Sequence, residues 1–101
     1  MSDEILRGGF IMLHPERRKI ISTLKTNDKP LFIGEIASKT GIDRRLISYH
    51  LSTLEDSGFV QSEFKVIEAP HSKGKAGRFY QLTPKAESVM DEFIKAISKK
   101  P

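Results

Sequence analysis

Arg44 and Arg45 stand side by side in GIDRRLISYHLSTLEDSG, residues 41–58, and Ser48, Tyr49 and Ser52 follow at helical spacing. A guanidinium is a rigid fork of donors that fits the O6 and N7 pair of guanine, or two oxygens of a phosphate. Hydroxyls bond base or phosphate with little discrimination, and an aromatic ring packs on a thymine methyl. This is the chemistry of recognising a polyanion rather than of breaking a bond. The placement sharpens the reading. A helix N-terminus is the positive end of the backbone dipole, so a cation there costs a few tenths to ~1 kcal/mol. A good bidentate base contact gives ~1–3 kcal/mol of discrimination, so a nucleic-acid duplex outside the chain outweighs that cost.

A second basic group lies downstream. PHSKGKAG, residues 70–77, offers Lys73 and Lys75 between glycines, and Arg78 follows at once. Lysine in such a loop suits phosphate contact, which positions a protein on a duplex without reading its sequence. GKAG does not meet the GxxxxGK[ST] pattern of a phosphate loop, and no strand-to-helix context surrounds it. Arg17, Arg18 and Lys19 form a third basic run, read as a solvated helix face.

Other chemistries find little support. The chain has no cysteine, which removes disulfides, thiolate metal sites and cysteine nucleophiles together. His14, His50 and His71 show no i, i+4 pairing, so no metal site is expected. His50 borders the apolar side of its helix and reads as a half-buried imidazole bonded to the backbone. Glu55-Asp56 and Asp91-Glu92 are sequence neighbours that point to different sides of a helix, not converging carboxylates. No serine has a histidine and an acid at motif spacing. The expectation is a protein that is not an enzyme and carries no cofactor.

The elements that must position these residues follow from periodicity and breakers. With 101 residues the chain has room for one domain. PERRKIISTL begins a helix at Pro15, with Ile20, Ile21 and Leu24 on one face. Pro30 ends the polar stretch after it, and Leu31-Phe32-Ile33 reads as a short edge strand. Gly34 opens a helix over Glu35 to Lys39, and Gly41 stops it. Asp43 is an N-cap candidate for the helix that carries the two arginines, and Leu46, Ile47, Leu51 and Leu54 share its buried face. Val60 to Ala69 and Arg78 to Leu82 read as a hairpin around an exposed tip. Thr83-Pro84 begins the last helix, whose apolar stripe of Ala86, Val89, Met90, Phe93, Ile94 and Ile97 follows a heptad-like spacing.

Two helices joined by a glycine turn, the second polar on its outward side, have the layout of a helix-turn-helix. KPLFIGEIASKTGIDRRLISYHLSTLEDSGFV resembles the core of ArsR-type winged helix-turn-helix transcriptional regulators. PERRKIISTL looks like that family's first core helix. RFYQLTPKAE is similar to the end of the wing hairpin and the start of the last helix, with a MarR-like flavour in LTPKA. The likeness covers residues 14 to 97. It implies a symmetric homodimer that binds double-stranded DNA and usually represses.

The expected architecture is therefore α+β and mostly helical: a winged helix-turn-helix with a two-stranded wing hairpin and a C-terminal dimerisation helix. One DNA-binding domain spans 1–101, with an N-terminal segment 1–13, a core 15–82 and a dimerisation helix 84–99. Arg44, Arg45, Ser48, Tyr49 and Ser52 are assigned to the major groove, and Lys73, Lys75 and Arg78 to the backbone. Val89, Met90, Phe93, Ile94 and Ile97 are assigned to the dimer, with Ile5, Leu6, Phe10 and Leu13 as a second segment; the alternative is that the stripe packs back on its own subunit through those four residues. The net charge of +4 is compatible with a nucleic-acid partner without demanding one. The alternative is a winged-helix protein-interaction module of a larger complex without specific DNA binding. No apolar run approaches the ~20 residues of a membrane span, and MSDEILRGGF lacks the layout of a secretory signal. A cytoplasmic location is expected.

Overall fold

The computed structural model describes residues 2–67 and 74–98. The chain begins with a helix that the sequence reading had left as an extension. Helix α1, Asp3–Leu13, starts at Ser2, whose hydroxyl accepts from the Ile5 amide at 3.3 Å. Asp3 and Glu4 sit in its first turn, where the dipole favours acids. Gly8 and Gly9 would weaken an isolated helix by ~1 kcal/mol each, yet both are buried. A β-carbon on Gly9 would come within 2.1 Å of the Phe93 ring, and one on Gly8 within 2.7 Å of Val89. The two glycines are therefore the price of close helix packing.

Helix α2, Pro15–Thr26, has Pro15 in its first turn and His14 as its cap, the imidazole Nδ1 accepting from the Glu16 amide at 3.2 Å. Strand β1 is Leu31–Phe32. Ile33 belongs to helix α3, Ile33–Thr40, so the strand is one residue shorter and the helix longer at both ends than the sequence suggested. The Glu35 carboxylate reaches back to accept from the Phe32 amide at 3.2 Å, which draws Ile33 and Gly34 into the first turn. Gly41 ends α3 at φ 75°, with its amide donating to the Ala37 carbonyl. Only a residue at ease in the left-handed region makes this turn cheaply.

Helix α4, Arg44–Asp56, buries Ile47, His50, Leu51 and Leu54. Leu46 was expected on this face but is 43% exposed. The 3.6-residue period centres the stripe on 47, 51 and 54 and places His50, not Leu46, at its inner margin. Asp43 holds the N-cap position without a side-chain bond to the first turn; its carbonyl accepts from the Ile47 amide instead.

Strands β2, Val60–Ile67, and β3, Lys75–Leu82, form the hairpin. Lys75, Ala76 and Gly77 are part of β3, opposite Ile67, Val66 and Lys65, so the return strand starts three residues earlier than expected. β1 adds to the outer side of β3, pairing Leu31 with Tyr80 and Phe32 with Phe79. The sheet is thus three-stranded and antiparallel in the order β1-β3-β2. Helix α5, Pro84–Ser98, closes the described chain. The Thr83 hydroxyl donates to the Gly58 carbonyl at 2.6 Å, tying the end of α4 to the start of α5 rather than capping the latter.

One apolar core joins these elements. Met12, Ile20, Leu24, Leu31, Ile36, Ile47, Leu51, Leu54 and Phe59 are all buried in it. Glu4 faces Lys85, Gly8 faces Val89 and Gly9 faces Phe93, so α1 and α5 run side by side in the same direction. This corrects two of the assigned dimer residues. Val89 and Phe93 are 4% and 2% exposed within their own chain, because the glycines of α1 let it seal that side of α5. On these two helices the open apolar side chains are Leu6, Phe10 and Leu13 of α1 with Ile94 and Ile97 of α5.

Candidate nucleic-acid interface

The helical period divides the non-core surface of α4 into an outermost line and two flanks. Arg45, Tyr49 and Ser52 lie opposite the buried stripe, and Arg44 and Ser48 lie on the flank toward the hairpin. All five are exposed. The hairpin flank is identified by Glu55, whose carboxylate accepts from the Ser62 hydroxyl of β2 at 2.7 Å. The other flank meets α2, where Arg17 lies 5.9 Å over the Tyr49 ring. Tyr49 stays 60% exposed in that position.

Arg44 bends toward the start of α3. Its guanidinium comes within 3.2 Å of where a β-carbon on Gly34 would be. It lines a cavity of about 360 Å³ together with Lys75 and Arg78 of β3 and the first turn of α3. Three cations from two distant parts of the sequence thus border one concave surface. The α3 N-terminus opens there too, and a helix N-terminus favours anions. Arg78 also donates to the Ser62 hydroxyl at 3.1 Å and stacks 4.3 Å over Phe64, so its head group is held on the hairpin face that Ser62 turns toward α4. Lys73 lies outside the described residues, as does the first half of the 70–77 tip.

His50 departs from its expected surroundings. It is 2% exposed, and its partners are side chains rather than backbone. Arg17 Nε donates to its Nδ1 at 3.0 Å, and its Nε2 lies 3.1 Å from Glu16 Oε1. Arginine has only donors to offer, so Nδ1 must accept and Nε2 must carry the proton given to Glu16. The same guanidinium donates to the Ile11 carbonyl at 3.2 Å. One network therefore ties the end of α1, the first turn of α2 and the inner face of α4.

His14, Glu16 and His50 bring three potential metal ligands within 4.8 Å of one another. The His14 and His50 rings stand 4.6 Å apart, a meeting that sequence spacing could not reveal. The donor set does not fit a metal. A histidine ligand presents a lone pair to the ion and its other N–H to an acceptor. Here the Arg17 bond demands the opposite tautomer, and its positive charge stands beside the ring. The cluster serves as a hydrogen-bonded clamp on α4.

Comparison with known proteins follows this geometry. Residues 14–62 match the sequence profile described as bacterial regulatory protein, arsR family. No curated protein matches the chain by sequence. Solved structures are similar across nearly its whole length. Diamide-treated YodB from B. subtilis is 20% identical with a TM-score of 0.73, covering 100% of this chain and 98% of that one. The transcriptional repressor BigR from Xylella fastidiosa is 24% identical with a TM-score of 0.62, covering 97% and 86%. A transcriptional regulator of the MarR family from Enterococcus faecalis V583 is 18% identical with a TM-score of 0.69, covering 96% and 84%. At these identities the likeness is one of fold, and the fold is the winged helix. No helix among the described residues is long and apolar enough to cross a membrane.

Proposed function

Because residues 14–62 match the arsR family of bacterial regulatory proteins, we propose that the chain is a dimeric DNA-binding repressor. Each subunit lays the first turns of α4 in a major groove. Arg45, Tyr49 and Ser52 face the base edges, and Ser48 reaches base or phosphate beside them. Arg44, Lys75 and Arg78 grip the flanking backbone, with Lys73 of the hairpin tip extending the same contact. The observation that carries this reading is the convergence of Arg44 with Lys75 and Arg78 around one open concavity, next to an outward helix face that none of the described residues covers.

A second copy of the chain supplies the symmetry. Phe10 and Ile97 are 62% and 58% exposed, and Leu6, Ile94 and Leu13 extend the same two-helix surface. Met90 is only partly open and turns toward α2 instead. Burying a large apolar side chain is worth ~1.5–3 kcal/mol, so a face built on five of them in each copy favours self-association. A two-fold axis through it predicts a palindromic site with half-sites about one helical turn apart, ~34 Å.

Fluorescence anisotropy with mixed-sequence duplex DNA tests the reading. Binding at low salt that weakens steeply as salt is raised is the expected result, because lysines and arginines release counterions from the phosphates. No retention of DNA even at low ionic strength would favour a protein-interaction module instead.

A further inference from the structure

A second concavity lies between α2, α5 and the end of α3. It encloses about 560 Å³, within the ~300–1,000 Å³ typical of small-molecule sites. Its floor is apolar: Met12 is fully buried, and Ile21 and Met90 are half-buried. Methionine side chains are flexible and polarisable and adapt to the shape of what they hold. A smaller extension of about 50 Å³ runs on along α5 past Leu82 and Ala86.

The rim is the informative part. Arg18, Lys19, Lys25 and Lys39 border the cavity, and no carboxylate does. Among the described residues, none of these four cations takes part in an ion pair. In the extension, Glu87 and Asp91 join Lys25 and Met90 in the lining, so the four cations, not these acids, border the main cavity. Lysine stems can lie along apolar surface while their ammonium groups converge above it. We propose that this cavity is a binding site for a small amphiphilic organic anion, an aromatic or aliphatic carboxylate whose body rests on Ile21 and Met90, above the buried Met12, and whose charge meets the lysines.

The seat adjoins the hinge of the helix-turn-helix. Lys39 and Thr40 are the last residues of α3 before Gly41. The Thr40 hydroxyl donates to the Ile36 carbonyl at 2.7 Å and accepts from the Ile42 amide at 3.2 Å. An occupant touching this pair sits against the turn that aims α4. The proposal stands apart from the DNA-binding reading, and its test uses no DNA.

The experiment is calorimetric titration of the full chain with naphthoate and with its neutral counterpart, naphthylmethanol, alongside amide chemical-shift mapping. The expected result is one saturable site per chain for the acid, with shifts at Met12, residues 18–25, Lys39–Thr40 and Met90. The alcohol binds at least several-fold more weakly. Exposed ion pairs contribute ~0.2–1 kcal/mol each, so the double variant Lys25→Gln/Lys39→Gln lowers acid affinity roughly two- to thirtyfold. Both lysines are exposed, and circular dichroism checks that the variant keeps its fold. Equal binding of acid and alcohol would overturn the proposal. So would shifts confined to Phe10, Ile94 and Ile97, an unchanged affinity in the folded variant, or no binding of naphthoate at millimolar concentration.

Discussion

Arg44 and Arg45 are neighbours in sequence and differ in what they face. Arg45 lies on the outermost line of α4, whereas Arg44 lies against Gly34 and the hairpin cavity. Arg45→Ala should therefore weaken binding to a selected duplex by ~1–3 kcal/mol and blur its base preference. Arg44→Ala and Lys75→Ala should lower affinity for all sequences alike and reduce the salt slope by about one phosphate each. The sequence reading gave both arginines to the bases, because two adjacent residues at a helix start look alike until the hairpin folds beside one of them. Tyr80 yields a prediction of another kind. It is 8% exposed, and burial first, then the Glu55 carboxylate, raises its phenol above 10.0, with Arg78 opposing. The unfolded chain ionises this group first. Its contribution to stability is thus complete below 10.0 and is lost as pH rises through the higher folded value. Urea unfolding at neutral and alkaline pH should show Tyr80→Phe losing less stability than the parent chain in the alkaline range.

At the scale of elements, the contact between α1 and α5 is the feature most open to test. Gly9→Ala gains ~1 kcal/mol of helix propensity, but its new methyl collides with the buried Phe93 ring. Overpacking of a filled core costs ~1–3 kcal/mol, so the net expectation is destabilisation on the order of 1 kcal/mol, seen as a lower urea midpoint. A raised midpoint would mean that the helices part freely. The helices α2 to α5 were legible because each has its own punctuation: Pro15, Gly41, Gly58 and Thr83-Pro84. α1 was not, since two central glycines argue against a helix unless the partner they admit is known. The clamp of His50 between Arg17 and Glu16 was hidden for the same reason. Its members are 33 and 34 residues apart, and no local pattern reports on such a meeting.

On the scale of the whole molecule, the chain separates its surfaces. The outward side of α4 with the hairpin carries the cations and hydroxyls, alongside exposed Phe64 and Val66, while α1 and α5 expose apolar side chains. Phe10→Glu or Ile97→Glu places a charge in the proposed two-fold interface. Each should raise the dimer dissociation constant by at least ~10-fold, measured by sedimentation, and should leave the monomer folded because both positions are exposed. The stripe on α5 was legible in the sequence, but its partition was not. Val89 and Phe93 share a helical face with Ile94 and Ile97 closely enough that only the docking of α1 decides which of them stays open.

The central claim is that the outermost line of α4 reads base edges. It is tested most directly by selecting a duplex from a random pool and titrating the parent chain and Arg45→Ala with that duplex and with a scrambled one. A ratio of specific to scrambled affinity that falls roughly five- to a hundredfold in the variant is the predicted result. An unchanged ratio, with the selected duplex bound as tightly as by the parent chain, would contradict it.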